Sequence, residues 1–178
     1  MAKTKIGDKV FETAIPEKEI KARVSAVAKQ ISEDMAGRNP LLLAVLNGSF
    51  VFAADLMREI DIPCEISFVK LASYQGTAST GTVSEVIGVN ADLAGRTVII
   101  VEDIIESGRT IAQAVESVMA HNPQSVHICT LLLKPDKLEV PLSPEYVAFS
   151  IPNDFILGYG LDYNQQGRGL KDIYTLVE

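Results

Sequence analysis

Val98-Ile-Ile-Val-Glu-Asp-Ile-Ile-Glu-Ser-Gly-Arg-Thr110 takes a β-branched apolar run into two adjacent carboxylates, then two isoleucines, a third carboxylate and a Ser-Gly-Arg-Thr turn. β-Branched residues favour strands, and Ser and Thr favour the first position of a helix. The stretch therefore reads as strand, acidic pair, small-residue loop and helix start. An open α/β sheet binds its ligand where such a strand feeds a helix. The loop offers hydroxyls and free N–H groups, and the helix dipole favours an anion there. The carboxylates can hold a divalent metal or sugar hydroxyls.

Working outward, Thr97–Val101 is the strand and Thr110–Ala120 its helix, with Ile111, Val115 and Val118 on one face. Upstream, Ile20, Val24, Val27, Ala28 and Ile31 recur at helical spacing after Pro16, and Gly37 follows the helix end. Leu41–Leu46 is a buried strand, Asn47-Gly48-Ser49 a turn, and Phe50 to Ile60 a second helix. Cys64–Leu71 is a strand, and another lies near Val83–Val89. Between them, residues 72–82 hold no large aliphatic side chain, which predicts a mobile loop. Downstream, Ser125–Leu133 is a buried strand ending at Lys134. Tyr146–Ser150 and Leu157–Tyr159 are short strands, followed by a polar Asp162–Arg168 loop.

Strands alternating with helices predict an α/β fold with a doubly wound, mainly parallel sheet. The proline-bearing tail, with Pro141, Pro144 and Pro152, is expected to fold over one end as a small hood above the C-terminal sheet edge. The expectation is one domain over 1–178, with a core of about 17–135. The hood would come from the N-terminal segment and about 136–178.

A net charge of −7 and a pI of about 4.9 argue against nucleic acid and acidic membranes as partners. The longest apolar run, Leu41 to Leu46, is far short of the ~20 residues of a membrane span. The N-terminus lacks the apolar core of a signal peptide. Cys64 and Cys129 sit in apolar runs and read as buried free thiols of a reducing compartment. The expected location is the cytoplasm.

The opening stretch resembles the phosphoribosyl-pyrophosphate motif of the type I phosphoribosyltransferases, and Val-Glu-Asp-Ile-Ile-x-Ser-Gly is similar to its hypoxanthine-guanine branch. Four further matches lie in order. Leu46-Asn47-Gly48-Ser49 resembles that branch's pyrophosphate loop, and Ser73-Tyr74 sits where the family has its flexible lid. Lys134 follows the strand after the motif helix. Ile151-Pro-Asn-Asp-Phe-Ile-Leu-Gly-Tyr-Gly-Leu-Asp-Tyr163 followed by Arg168 resembles the base-binding hood.

The resemblance implies Mg²⁺-dependent transfer of the phosphoribosyl group from phosphoribosyl pyrophosphate to a 6-oxopurine, giving a nucleoside monophosphate and pyrophosphate. It maps the metal to Glu102, Asp103 and Asp162, with Glu102 and Asp103 also near the ribose hydroxyls. Ser107, Gly108, Arg109 and Thr110 would form the 5′-phosphate loop, and Asn47 and Gly48 would bind pyrophosphate through N–H groups. A cis peptide is implied at Leu46–Asn47. Ser73 and Tyr74 would close over the site and exclude water. Glu106 would move the proton at the imidazole side of the purine. Lys134 would donate to the 6-oxo group, Phe155 would stack on the ring, and the main chain at Ile156 would read its edge. Arg168 would clamp pyrophosphate with a planar fork. The resemblance also implies a homodimer or homotetramer.

Two positions depart from the family pattern: Glu106 stands where Asp is usual, and Asn47 where many members carry Lys or Arg. Plainer readings exist for each residue: a solvated strand end for Glu102-Asp103, a helix cap for Ser107, a surface lysine for Lys134, core for Phe155 and a tail arginine for Arg168. The alternatives at the level of function are a xanthine-preferring or other phosphoribosyltransferase, a non-catalytic nucleotide-binding regulator of the same fold, and an unrelated α/β phosphate-binding protein. Neither His121 nor His127 forms part of a recognisable motif.

Overall fold

A computed structural model describes residues 3–72, 84–87 and 92–177. Six strands form the main sheet: β3 (Leu41–Leu46), β4 (Glu65–Ala72), β5 (Ser84–Ile87), β6 (Thr97–Ile105), β7 (Ser125–Leu133) and β8 (Tyr146–Ser150). Their order is β5-β4-β3-β6-β7-β8. All neighbours pair parallel except β5, which runs antiparallel to β4 at the edge. Apolar side chains of the central strands are buried on both faces. Leu42, Ala44, Ile99 and Val101 pack under α1 (Glu17–Asp34) and α2 (Phe50–Glu59). Leu41, Leu43, Val98 and Ile100 pack under α3 (Arg109–Met119). Helices on both faces make the sheet doubly wound, as the alternation of strands and helices predicted.

A second, antiparallel sheet of order β1-β2-β10-β9 joins the two ends of the chain. It comprises β1 (Lys3–Ile6), β2 (Lys9–Ile15), β9 (Ile156–Leu157) and β10 (Ile173–Leu176). This sheet is the hood. The β1–β2 hairpin turns at Gly7-Asp8, with Ile6 opposite Lys9 and Gly7 at φ 60°. A Gly-Asp pair between two strands is a hairpin signal that the sequence carried.

The sheet differs in extent from the sequence reading at two places. β6 runs past the acidic pair to Ile105, because Glu102, Ile104 and Ile105 pair with Thr130, Leu132 and Leu133 of β7. The carboxylates therefore lie within a strand and not beyond its end. β8 belongs to the parallel sheet, so that sheet extends past residue 135: Tyr146 and Ala148 are buried there, and Arg23 of α1 donates to the Ala148 carbonyl. Cys129 is buried as expected, whereas Cys64 is half-buried; both are free. The predicted loop at 72–82 lies, from residue 73 on, outside the described residues.

Candidate active site

Chain order reverses direction across the sheet between β3 and β6: β4 lies on one side of β3 and β6 on the other. In open α/β sheets the crevice at this switch point, beyond the carboxyl ends of the strands, is where ligands bind. The two ends meeting there are Leu46-Asn47-Gly48 and Glu102-Asp103-Ile104-Ile105. The peptide between Leu46 and Asn47 is cis.

The alternation of the strand breaks at the acidic pair. Pairing with β7 passes over Asp103, and the side-chain alternation changes phase there: Ile104 packs with the α1–α2 core and Ile105 with the α3 core. Glu102 is buried and accepts the Asp103 N–H at 3.1 Å, while Asp103 Oδ1 accepts the Ile104 N–H at 3.0 Å. Burial, and next the adjacent Asp103 charge, push the Glu102 carboxyl well above the ordinary glutamate range. Asp103 Oδ2 lies against Gly48, where a β-carbon would overlap it. Only glycine permits this approach of the two strand ends.

Beyond Ile105 the chain turns through Glu106-Ser107-Gly108 into α3. Gly108 is left-handed at φ 79°, and a β-carbon there would also press on Val140 at 2.9 Å. First-turn N–H groups have no intrahelical acceptor, and Gly108 has no side chain to cap them. A cavity of about 200 Å³ opens at this helix end, lined by Glu102, Glu106, Ser107, Gly108 and Thr110 over Ile104, Ile105 and Ile111. Dipole, N–H groups and hydroxyls make it an anion site. The Arg109 side chain points elsewhere: it is exposed and pairs with Glu139 at 2.5 Å, leaving only its main chain at the loop.

Lys134, at the end of β7, is 5% exposed at its side chain and ion-paired to Glu106. Its N–H donates to the Ile105 carbonyl at 2.9 Å, which ties the end of β7 to the end of β6. Arg168 donates to the Gly160 carbonyl at 2.8 Å and pairs with Asp162 at 2.7 Å. Asp162 also accepts the Gln165 N–H at 2.8 Å. That loop abuts the turn after β3, since a β-carbon on Gly160 would overlap the Gly48 carbonyl. Among the described residues no three His, Cys, Asp or Glu converge to hold a metal. Glu102 and Asp103 are thus together, and Asp162 is a separate position engaged by Arg168.

Phe155 is 46% exposed and is not core. Its ring stands edge-on to Tyr163 at 5.8 Å and tilted against Phe11 at 6.2 Å. The Tyr163 hydroxyl donates to Asp8 at 2.9 Å. The Leu176 N–H donates to the Phe155 carbonyl at 2.9 Å, which makes Ile156–Thr175 a non-hydrogen-bonded pair. Since β9 is an edge strand, the N–H and C=O of Ile156 are directed off the sheet. Sequence reasoning missed Phe11 and Lys137 and gave Tyr163 no role of its own within the hood stretch; Lys137 lies 3.9 Å from Glu106. Ser73 and Tyr74 lie outside the described residues.

Comparison with known proteins gives the same picture along nearly the whole chain. The phosphoribosyl transferase domain family matches residues 14–164. The hypoxanthine phosphoribosyltransferase of Salmonella typhimurium is 44% identical over 169 residues, covering 93% of this chain and 95% of that protein. The hypoxanthine-guanine phosphoribosyltransferase of Mycobacterium tuberculosis is 39% identical over 165 residues, covering 89% and 82%. A Bacillus anthracis hypoxanthine-guanine phosphoribosyltransferase, solved with a HEPES molecule in its active site, superposes with a TM-score of 0.90 at 39% identity, covering 96% and 99%.

Proposed function

The chain belongs to the phosphoribosyl transferase family, and we propose that it is a purine-salvage enzyme that transfers the 5-phosphoribosyl group from phosphoribosyl pyrophosphate to hypoxanthine and guanine. The products are the nucleoside monophosphate and pyrophosphate. The observation that carries this reading is the cavity at the β6–α3 junction, where a buried carboxylate, a second carboxylate beside an ion-paired lysine, and the N-terminal end of α3 face one space.

Each residue then has a task. N–H groups and hydroxyls of Ser107, Gly108 and Thr110 hold the 5′-phosphate at the helix end. Glu102 and Asp103 accept the ribose hydroxyls. Asn47 and Gly48 present main-chain N–H groups to pyrophosphate, and Arg168 adds charge once Asp162 releases it. Phe155 stacks on the purine, the Ile156 main chain reads its edge, and Lys134 donates to the 6-oxo group. A second donor there would meet the amino group of adenine, so adenine is disfavoured. Glu106 takes or returns the proton at the imidazole nitrogen.

The donor set fits Mg²⁺. Two carboxylates in contact, one of them buried, repel each other and are relieved by a cation. Mg²⁺ uses one or two carboxylates plus substrate phosphates in place of an all-protein cage. Glu102 and Asp103 would hold it, with Asp162 as a second position beside pyrophosphate. Bound there, the ion supplies charge neutralisation for the leaving pyrophosphate. We read 1–178 as one functional unit acting in the cytoplasm as a homodimer or homotetramer.

A turnover assay with phosphoribosyl pyrophosphate and Mg²⁺ against hypoxanthine, guanine, xanthine, adenine and uracil tests the reading. Nucleotide from hypoxanthine and guanine is expected. Product from xanthine alone would replace the substrate, and nucleotide binding without product from any base would make the protein a regulator.

A further inference from the structure

In the structure, the two groups assigned to the purine are bound to each other. Lys134 spends one of its three N–H donors on Glu106 Oε1, so an incoming 6-oxo group competes with the carboxylate for the same cation. Base binding therefore weakens the pair. Weakening it loosens the Glu106 carboxylate just when its aim matters.

A second cation stands ready. Lys134, Pro135, Asp136 and Lys137 enter a 3-10 turn over Pro135–Lys137, closed by the Lys137 N–H donating to the Lys134 carbonyl at 3.1 Å. The turn carries Lys137 back beside Lys134, so that both ammonium groups approach the Glu106 carboxylate. Lys137 Nζ lies 3.9 Å from Glu106 Oε2, while Lys134 takes Oε1. The Lys137 side chain is 39% exposed, whereas Lys134 lies in the interior.

We propose that Lys137 is a positioning residue that takes over the Glu106 carboxylate when the incoming oxopurine claims Lys134. The two lysines act as a relay: the buried one transfers from carboxylate to base, and the outer one keeps the carboxylate aimed at the imidazole side. Reach matters to this hand-over. An aspartate would withdraw the carboxylate by about one C–C bond, about 1.5 Å, away from a contact that already spans 3.9 Å.

The inference rests on the function proposed above, and steady-state kinetics separate the two. Wild-type turnover of hypoxanthine tests the function; ratios among variants test Lys137. Lys137→Met is expected to lower kcat about fivefold, as for a partly exposed ion pair, with KM for phosphoribosyl pyrophosphate unchanged. Lys137→Arg should restore kcat. In a Glu106→Asp background, Lys137→Met should change kcat less than twofold. An unchanged kcat in Lys137→Met, a loss that Arg does not rescue, or an equal loss in both backgrounds would each overturn the proposal. A wild type that turns over no base would overturn the function and the relay together. Thermal melting of each variant guards against misfolding, and Lys137 is exposed enough for the fold to tolerate the change.

Discussion

Asp103 places its carboxylate so close to the α-carbon of Gly48 that a β-carbon there would overlap Oδ2. The contact joins the cis-peptide turn after β3 to the acidic pair of β6, and it fixes the spacing between the groups assigned to pyrophosphate and to ribose. Gly48→Ala must push one of them away. A displacement of about 1 Å in a site that works by positioning costs about 10²-fold. Steady-state kinetics should therefore show kcat/KM for phosphoribosyl pyrophosphate falling by about that factor. A variant within twofold of wild type would mean that the turn is not part of the site.

Glu102 gives a pH-dependent stability signature. Burial and the Asp103 charge raise its carboxyl above the ordinary value of 4.5, so ionisation costs the folded state more than the unfolded one. That cost is absent below about pH 4.5, grows as the pH climbs towards the folded value, and is complete above it. Glu102→Gln removes it. Metal-free melting curves should show the variant more stable than wild type at pH 7.5, with the gap closing at pH 4. Adding Mg²⁺ and phosphoribosyl pyrophosphate should reverse the order at pH 7.5, because ligands that bind only the folded state stabilise it.

Tyr159 ties the hood to the main domain. It is 3% exposed, sits at φ 49°, and donates its hydroxyl to Asp55 of α2 at 2.7 Å. The next residue, Gly160, packs on the Gly48 carbonyl. Tyr159→Phe removes one hydrogen bond, about 1 kcal/mol, which for a chain of this size lowers Tm by about 2–4 °C. The same loss should raise KM for phosphoribosyl pyrophosphate, since the Gly160–Gly48 contact loses its anchor. A lowered Tm with unchanged KM would confine Tyr159 to stability.

Phe155→Ala separates stacking from packing. The ring is nearly half exposed and rests on Tyr163 and Phe11 without being enclosed by them. Truncation should weaken nucleotide binding by about 1–3 kcal/mol, read by titration calorimetry, while the Tm changes little. A large fall in Tm with unchanged affinity would return Phe155 to the hydrophobic core.

The parts legible in the sequence were those whose signal is local. Leu41–Leu46, Ser125–Leu133 and Tyr146–Ser150 are apolar runs bounded by turn residues, and each strand has those ends. The hood was legible in part, from the proline-bearing tail, the Gly7-Asp8 pair and the resemblance. Its strands β1 and β2 alternate Lys, Thr and Glu with a single fully buried residue, Phe11, and they are held by pairing with β10 at the far end of the chain. Long-range pairing of that kind leaves no periodicity to read. The acidic strand end failed for a related reason: Glu102 and Asp103 are poor strand formers, kept in β6 by the pairing of Glu102, Ile104 and Ile105 with β7. Lys137 was invisible because a 3-10 turn brings it to the carboxylate that Lys134 also holds, and neither residue alone forms a motif.

Glu106→Gln tests the proton-transfer role directly. The amide keeps the size of the side chain and can still accept a hydrogen bond from Lys134, so the lysine is not left bare in the interior. What it loses is the negative charge and the ability to take a proton. A general base contributes about 10²–10⁴ in rate, so kcat should fall by at least 10²-fold. Nucleotide affinity should change far less, because the phosphate loop, Phe155 and Lys134 are intact. Freed from its ion pair, Lys134 should meet the 6-oxo group more readily, so KM for hypoxanthine should hold or fall while kcat collapses. Loss confined to KM would instead make Glu106 a binding residue and assign proton transfer to solvent or another group.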